Sequence, residues 1–249
     1  MTADRWTQAV REQLGLGRLL PLGGPGDGAW ITEAAAVAVL RRAVRPVRGV
    51  RLGSLRLGLV DPGGASEPAV PPPPSALPPG PLRVDAEFAA SPAEPLPTAA
   101  ARLRATLTAT ATDSLGLEVT EVDLRVTGLL EEGEGPSEPA DSDAARTAGA
   151  RPSPGTDEFR VATAALAVPG VTVLTSKAHI TVTEPRGGTA LPGRHVRVEV
   201  AVDDTERTLD VAGAVRAAVT ASLPDRPTTA VLVTAVTAVA AVSPVTSVG

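Results

Sequence analysis

The stretch from Glu131 to Pro154 constrains this chain most. Residues 131–158 carry 8 acidic and 2 basic groups among Pro, Ser, Gly and Ala. Such a segment cannot bury enough apolar surface to offset its ordering entropy, so it is expected to be a flexible linker. The residues on either side must therefore supply their own cores, and 249 residues leave room for two small ones. Residues 31–130 hold 10 basic and 10 acidic groups, and residues 159–249 hold 8 and 7, so the folded parts are near neutral. That balance argues against a nucleic-acid surface.

The same order of elements is expected on both sides of the linker. Before it, Thr32 can cap a helix to Val44, with Ala35, Ala36, Val39, Leu40 and Ala43 on one face. Ser54–Val60 and Leu82–Phe88 alternate like half-buried strands. Thr98–Thr112 carries the helical stripe Ala99, Leu103, Leu107, and Val119–Val126 alternates again. After the linker, a helix is expected over 157–167 and strands at Val171–Thr175, His179–Thr183 and His195–Val202. A second helix is expected over Leu209–Leu223, with a closing strand from Thr229.

Three short segments align in the same order. Val47-Arg48-Gly49-Val50 matches Val168-Pro169-Gly170-Val171. Leu82-Arg83-Val84-Asp85 matches Val196-Arg197-Val198-Glu199. Leu103-Arg104-Ala105-Thr106-Leu107 matches Val215-Arg216-Ala217-Ala218-Val219. The expected fold is α/β in the α+β sense: two tandem copies of a helix-strand-strand-helix-strand unit. Each would be a three-stranded sheet with helices on one face. The expected divisions are 1–29, an amphipathic helix (Met1–Leu14) and a Gly/Pro loop (Gly15–Gly28); 30–130, the first copy, with a Pro-rich loop at 61–81; 131–155, the linker; and 156–249, the second copy. Aromatic residues are only 2 %, so both cores must be built from Ala, Val and Leu.

The ordered set resembles the alkaline shock protein family of Gram-positive envelope stress response proteins. The resemblance lies in a helix ending in a V-x-G-V turn, at Val47, Gly49, Val50 and again at Val168, Gly170, Val171. It continues in the alternating strands Leu82–Phe88 and Val196–Val202. It ends in Leu115-Gly116-Leu117 before Val122, Leu124 and Val126. The Pro-rich loop is longer than the family's hairpin, and Ser222-Leu223-Pro224 stands where a Gly is expected. The resemblance implies a cytoplasmic, non-catalytic scaffold with a role in envelope stress, held near the membrane by a membrane-protein tether. The uncovered sheet face of each copy separately leads one to expect packing of copy on copy or chain on chain. No membrane span of its own, no cofactor and no metal are expected.

The residues offer little chemistry. Cysteine is absent, which removes thiolate nucleophiles and disulfides. His179 and His195 could lie on neighbouring strands, but a zinc site would need Glu184 or Glu199 to complete it. Gly23–Gly28 is Gly-rich but lacks the Lys of a phosphate loop. Val70–Pro74 and Leu77–Pro79 favour polyproline II, either as a spacer or as a docking peptide for an aromatic groove. Asp203-Asp204 fits a helix-start charge. The one charged cluster with a functional reading is Arg41, Arg42, Arg45, Arg48 and Arg51. It is either a solvated face at a helix C-terminus or a contact for an anionic surface or nucleic acid.

Overall fold

The structure is a computed structural model that describes residues 16–130, 153–176 and 193–239, with the backbone alone of 179–183. The expected helix at Met1–Leu14 and nearly all of the acidic linker lie outside the described residues. The elements run β1 (Leu19–Leu22), β2 (Ala29–Thr32), α1 (Glu33–Val44), β3 (Val50–Leu59), β4 (Leu82–Ala90) and α2 (Leu96–Ala109). A π-helical turn (Thr110–Leu115) leads to β5 (Val119–Leu129). Then come α3 (Asp157–Leu166), β6 (Val171–Leu174), β7 (His179–Thr183), β8 (Gly193–Asp203), α4 (Thr208–Ser222) and β9 (Thr228–Thr237).

The fold is mixed α/β, and its two units are wired alike. In the first, β3 pairs antiparallel with β4 and β4 pairs parallel with β5. In the second, β6 and β7 pair antiparallel with β8, and β8 pairs parallel with β9. Together β6 and β7 line β8 as β3 lines β4, where β3 has only a bulge between Leu52 and Leu55.

The likeness reaches single hydrogen bonds. Gly49 and Gly170 both take positive φ, 70° and 85°, where the chain turns from helix into strand. Their carbonyls accept from the Ser91 and Asp203 amides, each at 2.8 Å. Both parallel strands carry an extra residue at the same place, Thr127 opposite Phe88/Ala89 and Thr234 opposite Val200/Ala201, and β5 has a second at Thr120. Thr127 Oγ1 donates to the Phe88 carbonyl (3.3 Å), and Thr234 Oγ1 donates to that of Val200 (3.2 Å).

This geometry corrects one sequence correspondence. With Val50 opposite Ala90 and Val171 opposite Val202, Val84 corresponds to Val196, not to Val198. The slip is two residues, which keeps the same face inward and so leaves the hydrophobic pattern unchanged. The helix correspondence of Leu103 with Val215 agrees with the corrected register.

Two further expectations fail. The Gly15–Gly28 stretch is not merely a loop, because it contains β1, which pairs with β2 in an antiparallel hairpin. β2 then pairs parallel with β9, Ala29 opposite Val231 and Ile31 opposite Val233. The second unit's sheet is therefore six-stranded, in the order β1-β2-β9-β8-β6 with β7 also on β8, whereas the first keeps three strands. Nor is that larger sheet covered on one face only. The Pro-rich loop lies over its outer face, where Leu19, Trp30, Val70, Ala230 and Leu232 form a small second core. Trp30 Nε1 donates to the Leu77 carbonyl (3.4 Å), and the Leu19 amide and carbonyl bond to Ser75 and Leu77 (3.2 and 2.9 Å). The polyproline segment meets its aromatic partner within the same chain.

The main core is continuous across both units. Its hinge piece is α1, which packs against β9 and β2 on one side and β3 and α2 on the other. Ala35, Ala36, Val39, Leu40 and Val44 are its buried residues. Small side chains on both flanks let one helix serve two sheets at short range. Thr32 Oγ1 accepts from the Ala35 amide and donates to the Thr234 carbonyl, so the cap of α1 is bonded to the second unit (both 3.2 Å).

Candidate functional site

The Arg cluster is placed along one run of backbone. Arg41 and Arg42 lie in the last turn of α1, Arg45 caps it, Arg48 is exposed in the following turn and Arg51 enters β3. Most of them are already engaged inside the chain. Arg41 Nη2 donates to the Gly53 carbonyl (2.6 Å), and Arg42 Nη2 meets Asp204 Oδ2 at 3.3 Å. Asp204 also accepts from the Val239 amide (2.9 Å), so it joins α1 to the second unit rather than serving as a helix-start charge. The neighbouring Asp203 accepts from the Thr205 amide at 3.0 Å.

The histidines do lie on neighbouring strands. His179 stands opposite Arg197 and Thr181 opposite His195. Among the described residues, no group of three or more His, Asp or Glu could hold a metal ion. Glu184 lies outside them. Glu199 is buried and sits 3.7 Å from Arg197 on the outer face of β8.

His195 is only 7 % exposed, and its Nδ1 lies 2.9 Å from Thr228 Oγ1. Burial, then the nearby Arg197 charge, pushes its pKa below the usual value, and a hydrogen bond with Thr228 partly offsets this. The folded chain therefore favours neutral His195. As the pH falls below about 6.5, the unfolded chain takes up this proton first and stability is lost. A His195→Gln variant should show a shallower loss of melting temperature between about pH 7 and 5 than the parent. Parallel slopes would mean that His195 contributes nothing.

The Gly23–Gly28 turn closes the β1–β2 hairpin. It presents a carbonyl, Gly26, to the Arg216 guanidinium, and Asp27 accepts from the Gly24 amide (2.7 Å). A turn offering a carbonyl to an arginine is the reverse of an anion cradle.

The arrangement with most scope for recognition is one that sequence reading missed. On the first unit's sheet, Ser54, Arg56, Asp85, Glu87, Asp123 and Arg125 form a shallow polar depression of about 600 Å³. Ser54 donates to Glu87 (2.8 Å), and Arg83 lies 3.5 Å from Asp85 and 3.8 Å from Asp123. Beside it, β5 pairs with no strand but β4 among the described residues. Val126 and Leu129 of β5 are 41 % and 61 % exposed. Beneath its edge, Ala101, Ala105, Thr108 and Ala109 of α2 line an open groove of about 570 Å³. Arg104, from the same groove, reaches up to the Val122 carbonyl (3.4 Å). The alternation of Val122, Leu124 and Val126 was visible in the sequence, but an edge position was not.

The second unit has the same features, covered. β2 occupies the edge of β9, and Arg216, the counterpart of Arg104, is bound by the hairpin turn at Gly26. No helix among the described residues is long and apolar enough to cross a membrane. No protein-family model matches this chain, and no curated protein matches its sequence.

Proposed function

We propose that this chain is a non-catalytic interaction scaffold whose working surface is the open sheet of the first unit. The observation that carries this reading is the asymmetry between two units of one topology. In the second, the sheet edge and outer face are covered by the chain's own hairpin and Pro-rich loop. In the first, the equivalent edge and a charged face lie open among the described residues. A fold that covers such surfaces where it has the chain to do so, and leaves one bare, is built for a partner. The shared wiring fits descent of both units from one duplicated ancestor.

The place of action proposed is the cytoplasmic side of a membrane, held there by a protein tether, as the resemblance to alkaline shock proteins leads one to expect. Arg41–Arg51 is less suited to hold an anionic surface unaided, because Arg41 and Arg42 are bonded within the chain.

Fractionation at native expression level tests the placement. The protein should pellet with membranes, resist a salt wash, and come off in detergent with one membrane protein at fixed stoichiometry. Recovery as a free species without that protein would overturn the tether.

A further inference from the structure

We infer that the open edge of β5 takes the β5 strand of a second copy of this chain, antiparallel about a two-fold axis at Leu124. Two three-stranded sheets would thereby join into one of six strands. This rests on the interaction-scaffold reading and names its partner.

The pattern of β5 selects that register. With Leu124 opposite itself, Asp123 falls opposite Arg125 of the second copy, and the reciprocal pair forms on the other side of the axis. Val122 falls opposite Val126 on the inner face, where Val126 is 41 % exposed and Val122 half-buried. Moving the axis to Arg125 sets Arg against Arg, which is destabilising. Moving it to Asp123 sets Asp against Asp and, although Glu121 then faces Arg125, places Val126 opposite Thr120 at the first irregularity of β5. The residues on both sides of the axis, Val122–Val126, lie before the bulge at Thr127, so this stretch of the edge is regular.

The edge of β5 is only lightly protected, by irregularities at Thr120 and Thr127 and by Arg104 on the Val122 carbonyl, whose second lone pair stays available to an incoming amide. The strand is 11 residues long, with no Pro, no Lys and no charge on its inner face. The small-residue groove on α2 supplies a second layer. Helices lying under adjoining strands of one sheet pack together, and Ala101, Ala105 and Ala109 permit close approach. A strand edge alone makes a small interface, and a helix contact beneath it brings the whole toward the size of a specific one. The second unit is a precedent within the same molecule: there, the equivalent edge is paired by a strand.

Sedimentation equilibrium of the full chain tests the inference. The wild type should sediment at twice the 25.1 kDa chain mass. Asp123→Arg and Arg125→Asp should each weaken self-association by about tenfold or more, since each creates two like-charge pairs. An equimolar mixture of these two variants should restore the dimer, because each then meets the opposite charge. Val126→Lys should abolish it. Circular dichroism and melting check that each variant folds. If Asp123→Arg unfolds through loss of its contact with Arg83, Arg125→Asp and Val126→Lys carry the test.

A wild type that stays monomeric at about 100 μM, well above the micromolar affinities common for specific pairs, would overturn the proposal. So would a dimer that the single variants leave intact, or a mixture that stays monomeric while both components are folded. The outcome separates from that of fractionation. A charge-dependent dimer without a membrane tether leaves this inference standing. A tether without the dimer removes this inference alone.

Discussion

Produced without the preceding residues, 153–249 should fail to form a stable monomer, although it contains every element of the second unit. The sheet that this fragment would build lacks β2, which pairs with β9. It also lacks Trp30 and Val70, which cover Ala230 and Leu232 on the outer face. The inner face loses α1, which packs against β9. Removing all three exposes Val231, Leu232 and Val233, each fully buried in the intact chain. A domain is stable by only about 5–15 kcal/mol, and each large apolar side chain left in water costs about 1.5–3 kcal/mol. The fragment should show no cooperative melt by circular dichroism. Co-expression with residues 1–152 should restore one, since the missing strand and helix return in trans. A fragment that melts cooperatively alone would show that the hairpin and α1 are accessory to the second unit.

Gly116→Ala should be the most damaging glycine-to-alanine change among the described residues. Gly116 ends the π-helical turn with φ 86°, a conformation that costs an L-residue about 1–2 kcal/mol. A Cβ there would also collide with Leu209 Cβ at the start of α4, and overpacking of that kind costs about 1–3 kcal/mol. The clash is with the second unit, so local repacking cannot relieve it. The turn is where the halves are bonded: the Gly116 carbonyl accepts from the Gly23 amide (3.0 Å), and the Thr112 carbonyl accepts from Arg207 (3.1 Å). The expected loss is about 2–5 kcal/mol in chemical denaturation. Gly213→Ala is the control of opposite sign. Gly213 is helical with open space around it, and alanine should stabilise α4 by about 0.5–1 kcal/mol. Equal effects of the two changes would refute the contact argument.

Much of the secondary structure was legible for a simple reason: each element carries its own period. The stripe Ala99, Leu103, Leu107 is buried in α2, and Val84, Ala86 and Phe88 are buried in β4 as their alternation demands. Thr32 caps α1 through its hydroxyl, as a Thr before an apolar run should. The inner residues of α1 differ by one: Val44 is buried where Ala43 was expected, because α1 faces two partners rather than one. β1 was not legible. Leu19–Leu22 spans four residues interrupted by Pro21, among glycines that read as a loop. Pro21 is tolerated because β1 is the outermost strand of its sheet. The candidate interface was hidden for a related reason. Asp123 and Arg125 look like any solvent-facing residues of a strand until it is known which edge of that strand is bare.

Local pattern in the sequence thus determined the order of elements from α1 onward, the turns at Gly49 and Gly170, and cores built mainly of Ala, Val and Leu around two large rings, Trp30 and Phe88. Periodicity and backbone sterics act over a few residues, and the chain states them directly. Tertiary structure alone decided that a hairpin before the first unit completes the sheet of the second, that α1 serves both cores, and that the Pro-rich loop straps down Trp30. It also decided which of two equivalent strand edges remains open. Those outcomes turn on contacts such as Ala29 with Val231, some two hundred residues apart, where complementary surfaces compete for one partner and no local signal marks the winner.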